Sequence, residues 1–250
     1  MDSPFNPFSS PKAPGSRMIE DPRVVLILSG GLDSAVCLYH LRYYDLSVSC
    51  LSFNYGQRHI LELDSASALC RDLKVEHHIV DLSYLGSQLL GGSSQTDPTI
   101  EVPEGHYAAD NMAITVVPNR NMIMLALATG FAISHDIQKV AYAAHAGDHA
   151  QYADCRPEFI NAFQSTLWQC HSKPLNLLTP FMNWSKADIV KRGFVLKVPF
   201  ETTRSCYTNQ ATACGRCGTC IERLEAFHIA GGIDPIEYTD RSYWEKVCRS

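Results

Sequence analysis

The chain lacks the basic excess that a nucleic-acid surface needs: 21 Lys and Arg stand against 26 Asp and Glu, a net charge of −5. It has no apolar run long enough to cross a bilayer; the longest weakly polar stretch, Met122 to Ile133, suits a buried helix. The opening Met1-Asp2-Ser3-Pro4 has neither the basic start nor the apolar core of a secretion signal. Neither G-x-x-x-x-G-K-[ST] nor G-x-G-x-x-G occurs, so a Walker-type kinase or a dinucleotide dehydrogenase has no support. No internal repeat is visible. A nucleic-acid binder, a membrane protein and a secreted protein are all disfavoured. What remains is a 250-residue chain, 46% hydrophobic, of a size for one α/β domain with a small appendage.

Cysteine is plentiful, and its distribution matters more than its number. Of the ten, Cys37, Cys50, Cys70, Cys155, Cys170 and Cys248 are scattered, as small core residues are. The other four, Cys206, Cys214, Cys217 and Cys220, crowd together like a metal site, which points to a reducing compartment.

Residues 1–22, with Pro4, Pro7, Pro11, Pro14 and Pro22, read as a mobile leader. The apolar run Val24 to Leu28 then predicts a strand covered on both faces. Helical spacing follows over Ser34 to Tyr44, a strand over Val48 to Phe53, a helix over about Gln57 to Leu73 and a strand over Val75 to Val80. This βαβαβ alternation predicts a parallel, doubly wound sheet, placed in residues 23–200. Gly91 to Val117 is rich in Gly, Ser, Pro, Thr and Asp and reads as a long insert, either a functional lid or disordered. Further elements are expected at Asn119 to Ser134 (helix), Lys139 to Ala144 (strand) and Pro157 to Cys170 (helix with Pro in its first turn). Ser185-Lys186-Ala187-Asp188 predicts a capping box opening a helix to about Leu196. Residues 201–250 hold the cysteine cluster, a short helix over Ile221 to Ala230 and a tail.

The turn after the first strand, Ser29-Gly30-Gly31-Leu32-Asp33-Ser34, is where an open parallel sheet binds its ligand. Paired glycines let the backbone approach an anion, and free amides at the helix start point towards it. Ser29 and Ser34 add hydroxyls, and Asp33 can hold Mg²⁺ against phosphate oxygens. A plain strand–helix turn with a Ser or Asp cap is the alternative. This stretch resembles the S-G-G-x-D-S signature of the PP-loop ATP pyrophosphatases. That resemblance implies an adenine nucleotide alpha hydrolase-like fold and attack of a substrate oxygen on the α-phosphorus of ATP.

Cys206-x7-Cys214-x2-Cys217-x2-Cys220 supplies four soft ligands, with Gly215 and Gly218 letting the backbone curl around a metal. A closed tetrahedral set of thiolates reads as structural Zn²⁺. A redox C-x-x-C pair and an Fe–S cluster are the alternatives, and spacing alone leaves iron open. A zinc ribbon that reads nucleic acid would want more than Arg204, Arg216 and Arg223, which Glu222 and Glu225 dilute.

Three polar clusters fall near strand ends: Phe53-Asn54-Tyr55-Gly56-Gln57-Arg58-His59, Val117-Pro118-Asn119-Arg120-Asn121, and Gly147 to Arg156. Singly they have ordinary readings: Arg58 a solvated residue, Asn119 a helix cap, His145 and His149 a surface pair. With the glycine turn and the four cysteines, their order resembles the 7-cyano-7-deazaguanine synthase (QueC) family from about Arg23 to about His228. The most specific elements are Tyr55-Gly56-Gln57-Arg58-His59, Arg120-Asn121, Tyr152-x-Asp154-Cys155-Arg156 and Ser205-Cys206-Tyr207.

The resemblance implies a cytoplasmic, homodimeric, ATP-dependent ligase that converts 7-carboxy-7-deazaguanine and ammonia, through the amide, into the nitrile. ATP is then expected on Leu28, Ser29, Gly30, Gly31, Leu32, Asp33 and Ser34, with Phe53, Tyr55, Gln57 and Arg58 completing its site. The deazapurine is expected on Arg120, Asn121, Asp148, Tyr152, Asp154 and Arg156. Asp33, Lys186 and Arg120 are the catalytic candidates; an ordinary exposed first-turn lysine is the other reading of Lys186. No covalent intermediate is needed. The sequence departs from the family pattern at Asn54, Asn119 and Ala153, which keeps open a relative that stops at the amide or transfers the base to another acceptor. A different PP-loop ligase, including a tRNA thiolase, and a zinc-containing binding module are the competing classes.

Overall fold

The computed structural model describes residues 21–248. Most of the expected leader therefore lies outside the described residues. Asp21 and Pro22 are already docked: Asp21 pairs with Arg23 at 2.9 Å, and the Pro22 carbonyl accepts the Ser47 amide.

Five parallel strands make one sheet: β1 (Arg23–Ile27), β2 (Ser47–Asn54), β3 (Glu76–Asp81), β4 (Lys139–Ala141) and β5 (Asn176–Leu178), in the spatial order β3-β2-β1-β4-β5. The chain winds outward from β1 to β3 and then returns to the other side of β1, so the strand order reverses between β1 and β4. Ligands of open α/β sheets lie outside the carboxyl ends of the strands at such a reversal.

Alternation along the strands separates two cores. Val24, Leu26, Val48 and Cys50 face one side, with α1 (Leu32–Tyr43), α6 (Lys186–Leu196) and α7 (Gly218–Ile229). Val25, Leu51 and Phe53 face the other, with α4 (Arg120–Ser134) and α5 (Pro157–Cys170). The sheet is thus doubly wound. α7 buries Ala226 and Phe227 in the same core as β1 and α6.

Local signals place several helices accurately. Pro157 opens α5, and the Ser185–Asp188 box forms in both directions, each residue accepting the other's amide at 3.2 Å. Other expectations need correction. α2 (Glu62–Leu73) starts five residues later than its spacing implied, because Gln57 turns its side chain back on the end of β2. Three elements carried no readable signal: α3 (Ser83–Leu89), α8 (Tyr243–Cys248) and the three-residue strand β5. Cys37, Cys50, Cys70 and Cys155 are buried as expected, whereas Cys170 is exposed and Cys248 half-buried.

The 91–117 insert is a packed wall. Ser93, Ser94 and Gln95 are fully buried, and a 3₁₀ turn spans Asp110–Thr115. Residues 110–134 are together long and apolar enough to cross a membrane by length and composition. They are interrupted, however, by Asn119 in the left-handed region at φ 56°, and α4 packs on β1 and β4 with Leu125, Ala128 and Ala132 buried.

Residues 200–207 are tied down by Arg223, whose side chain is wholly buried. Its guanidinium pairs with Asp234 at 2.7 and 2.9 Å and donates to the Phe200 carbonyl and to Thr203. Arg223→Ala leaves that carboxylate buried without its cation and is expected to cost about 3–5 kcal/mol in urea melts. A loss comparable to an exposed pair, below about 1 kcal/mol, would contradict this role.

Candidate active site

The β1–α1 turn forms around two glycines. Gly30 sits at φ +90°, and a Cβ there would lie 2.0 Å from the Glu62 carbonyl oxygen, so no other residue fits. Gly31 caps α1, whose first intrahelical bond runs from the Ala35 amide to the Gly31 carbonyl at 3.0 Å. The amides of Leu32, Asp33 and Ser34 are left free of the helix ladder, and the helix dipole adds positive character there. Ser29 Oγ accepts the Gly31 amide at 3.2 Å and contacts Ser34 Oγ at 3.0 Å.

This turn opens into a cavity of about 210 Å³ at the carboxyl ends of β1, β2 and β4. Of the expected site residues, Leu28, Ser29, Gly31, Leu32, Asp33, Ser34, Phe53, Tyr55, Arg120, Asn121, Asp148, Tyr152 and Lys186 line it. Gly30 serves as backbone behind the turn.

Besides Gly30, four expected binding residues do not line the cavity. Gln57 is buried on the backbone of Phe53 and Tyr55. Arg58 donates to the Asp97 and Ile100 carbonyls and so pins the insert. Asp154 accepts the Asn121 amide and Nδ2, each at 3.0 Å, which fixes the start of α4. Arg156 is exposed and donates to the His149 carbonyl.

Charges gather at the end of the cavity beside the glycine turn. Lys186 Nζ lies 3.2 Å from Asp33 Oδ2 and 2.7 Å from Glu222 Oε2. His145 accepts the Gly147 amide on Nδ1 at 3.1 Å, which assigns its proton to Nε2, 3.7 Å from Asp33 and 3.6 Å from Asp148. Burial pushes the Asp33 carboxyl up, but Lys186 and then His145 outweigh it and hold it below the usual carboxylate value. Burial likewise opposes the Lys186 charge, yet Asp33, Glu222 and Asp148 prevail and raise its pKa. Glu222 is pushed up by burial against the pull of Lys186. Among the described residues, Asp33 Oδ1 is buried with no hydrogen-bond partner. A hard oxygen donor beside the free amides at the start of α1, in a cluster of three acids and one lysine, fits Mg²⁺.

The opposite end is aromatic. Arg120 lies 5.8 Å from the ring centres of both Tyr55 and Tyr152 and donates to the Tyr55 hydroxyl at 3.3 Å. Tyr152 and Tyr207 meet hydroxyl to hydroxyl at 3.1 Å, and the Tyr107 hydroxyl donates to Asp148 Oδ1 at 3.1 Å. Burial pushes Tyr55 up to about 12 even beside Arg120, and also raises Tyr107 and Tyr207, so these hydroxyls keep their protons. Such a box takes a flat, polar-edged ring. The sequence reading missed Tyr107, Tyr207, His59, Glu62 and Glu222. Tyr107 had no signal within the insert, and Tyr207 was visible only as the neighbour of a cysteine.

The four clustered cysteines bring their sulfurs within 4.8 Å of one another, with Cys214 and Cys220 3.9 Å apart. A tetrahedral Zn–S length of about 2.3 Å implies a sulfur–sulfur edge of about 3.8 Å. Cys206 Sγ accepts the Cys214 amide, and Cys214 Sγ accepts those of Arg216 and Cys217. Gly215, at φ +79°, has no room for a Cβ, which would meet the Asp240 carbonyl at 2.0 Å. The donor set fits structural zinc. It adjoins the cavity, because Tyr207 and Thr219, next to Cys206 and Cys220, both line the pocket.

The family model described as queuosine biosynthesis protein QueC matches residues 23–231. A 7-cyano-7-deazaguanine synthase of Marinobacter nauticus is 47% identical over 215 residues, covering 86% of this chain and 96% of its own length. The 7-cyano-7-deazaguanine synthase 1 of Mesorhizobium japonicum is 49% identical over 224 residues, covering 88% and 95%. Among solved structures, a 4-thiouridine synthetase–RNA complex with bound ATP aligns at a TM-score of 0.48 and 15% identity, over 91% of this chain and 50% of that one. NMN synthetase from Francisella tularensis aligns at 0.44 and 15%, over 91% and 85%.

The charge cluster makes a pH-dependent contribution to stability. Asp33 titrates lower folded than unfolded, so its pairing stabilises the fold above the unfolded value and is lost as pH falls through the folded one. In Lys186→Met the carboxyl should titrate higher, and the thermal midpoint should begin to drop at a higher pH than in the unaltered protein. Melts between about pH 3 and pH 7 test this; superimposable profiles would contradict the pairing.

Proposed function

The chain belongs to the QueC family of queuosine biosynthesis proteins, and we propose that its pocket carries out the ATP-dependent ligase reaction of a 7-cyano-7-deazaguanine synthase. The observation that carries this reading is one cavity joining the free amides of the Ser29–Ser34 turn to the aromatic box around Arg120.

A carboxylate is a poor electrophile, and water is a poor leaving group. In the proposed reaction the ATP phosphates lie on the amides of Leu32, Asp33 and Ser34, with Lys186 countering their charge and the nucleoside towards Leu28 and Phe53. The 7-carboxylate oxygen of the deazaguanine attacks the α-phosphorus, and pyrophosphate leaves. Ammonia adds to the resulting acyl adenylate and expels AMP, giving the amide. A second ATP adenylates the amide oxygen, and loss of AMP and protons from that species gives the nitrile. Arg120, Tyr55 and Tyr152 hold the base, and Asp154 acts through Asn121 to set the helix that carries Arg120. Mg²⁺, when held by Asp33, supplies further neutralisation of the phosphates. Cys155 lines the cavity, but burial raises its thiol pKa, consistent with a route that needs no covalent intermediate. Ten unpaired cysteines and a four-thiolate zinc site suit the cytoplasm.

The test incubates protein, Mg²⁺-ATP, ammonium and 7-carboxy-7-deazaguanine, and follows the base by mass spectrometry. Nitrile supports the reading, amide alone favours a relative that stops midway, and unchanged base overturns it. Asp33→Ala should lower ATP consumption by about 100-fold or more in a protein that still folds cooperatively, its melting temperature reduced only by the lost pairing with Lys186. Turnover at the original rate would remove the role given to the turn.

A further inference from the structure

We propose that Glu62 reads the 2-amino and N1–H edge of the deazaguanine, and so sets base specificity; this rests on the function proposed above. Three carboxylates line the cavity: Asp33, Glu62 and Asp148. Asp33 is engaged by Lys186. Asp148 spends Oδ1 on the Tyr107 hydroxyl, and its Oδ2 faces His145 in the charge cluster. Asp154, the other acidic candidate from the sequence, does not line the cavity and gives both oxygens to Asn121. Glu62 is different. Its side chain is 11% exposed, its Oε1 accepts Gln57 Nε2 at 3.2 Å and faces His59 Nε2 at 3.4 Å, and no Lys or Arg pairs with it. Among the described residues Oε2 has no hydrogen-bond partner.

A carboxylate that lines the cavity, with one oxygen unpaired by the described residues and no Lys or Arg beside it, offers that oxygen to donors of a ligand. The orientation of Glu62 is set independently of any ligand. Gln57 accepts the Tyr55 amide on Oε1 at 2.9 Å and donates from Nε2 to the Phe53 carbonyl at 3.0 Å as well as to Glu62. The carboxylate is thereby referenced to the end of β2, which also carries Tyr55 into the aromatic box. Beside it, His59 keeps Nδ1 buried without a partner, and its ring lies 5.7 Å from that of Tyr207. A guanine-like ring presents two parallel N–H donors on this edge, the complement of a carboxylate. Its 7-substituent lies at the other end of the bicycle, leaving the reacting carboxylate free of the reading group.

ATP–pyrophosphate exchange, which needs no ammonia, tests this with 7-carboxy-7-deazaguanine and its analogue lacking the 2-amino group. The unaltered protein should show kcat/KM about 100-fold or more lower for the analogue, because the reading group is left unpaired. Glu62→Gln should lose about as much on the amino substrate and bring the two substrates within about 10-fold of each other, with its melting temperature retained. Equal loss on both substrates, an unchanged ratio, or no discrimination by the unaltered protein would overturn the assignment. So would a variant altered only in its KM for ammonium in the complete reaction, which would place ammonia at Glu62. Exchange with neither base by the unaltered protein removes the proposed function itself, and the assignment with it.

Discussion

Gly30 is held from two directions, and the pocket is assembled around it. Its Cα lies against the Glu62 carbonyl at the start of α2, while its own carbonyl accepts the Arg204 amide at 3.0 Å. Three distant stretches of chain therefore meet at one left-handed residue: the β1–α1 turn, the first turn of α2, and the strip that runs from Phe200 to Cys206. That strip is fixed at one end by the buried Arg223 and at the other by the cysteine cluster. A structural metal held by these cysteines would thus bear on the pocket without facing the reaction. Ordering the four thiolates would fix Tyr207 and Thr219 as walls, and the strip in turn holds the Ser29–Ser34 turn through the Gly30–Arg204 bond.

The charge arrangement follows from the same geometry. α6 packs on α1, and the Ser185–Asp188 box sets where its first residue, Lys186, emerges. α7 brings Glu222 to the other side of the ammonium group. Three carboxylates gathered around one lysine and His145 would repel one another without that lysine. Under the proposed function a polyphosphate and a divalent cation would divide these groups between them, Asp33 offering its free oxygen to the cation and Lys186 its charge to the anion. The aromatic end lacks this surplus of acid. Its one uncompensated carboxylate, Glu62, stands where a donor-rich ring edge can satisfy it.

Features that depend on a few adjacent residues could be read directly from the chain. The glycine turn, the Pro157 start of α5 and the Ser185 capping box are of this kind, because each is decided within one helical turn. The residues around the cavity divide differently. Tyr55, Arg120 and Tyr152 were found through their motifs, and they do line it. Arg58 and Asp154 belong to the same motifs but act behind them, one on the insert and the other on the start of α4. Sequence order cannot separate a residue that faces the cavity from one that supports it. Glu222 and Tyr107 reach the site from regions read as a zinc segment and a lid, through packing between remote elements. β5 is too short for its period to be read.

The central claim is that the turn presents the α-phosphorus of ATP to a carboxylate oxygen. The direct test supplies 7-carboxy-7-deazaguanine carrying ¹⁸O in its carboxyl group, with ATP and ammonium, and locates the label by mass spectrometry. ¹⁸O is expected in AMP, and none in pyrophosphate or orthophosphate. Label in orthophosphate, with ADP as the nucleotide product, would contradict it.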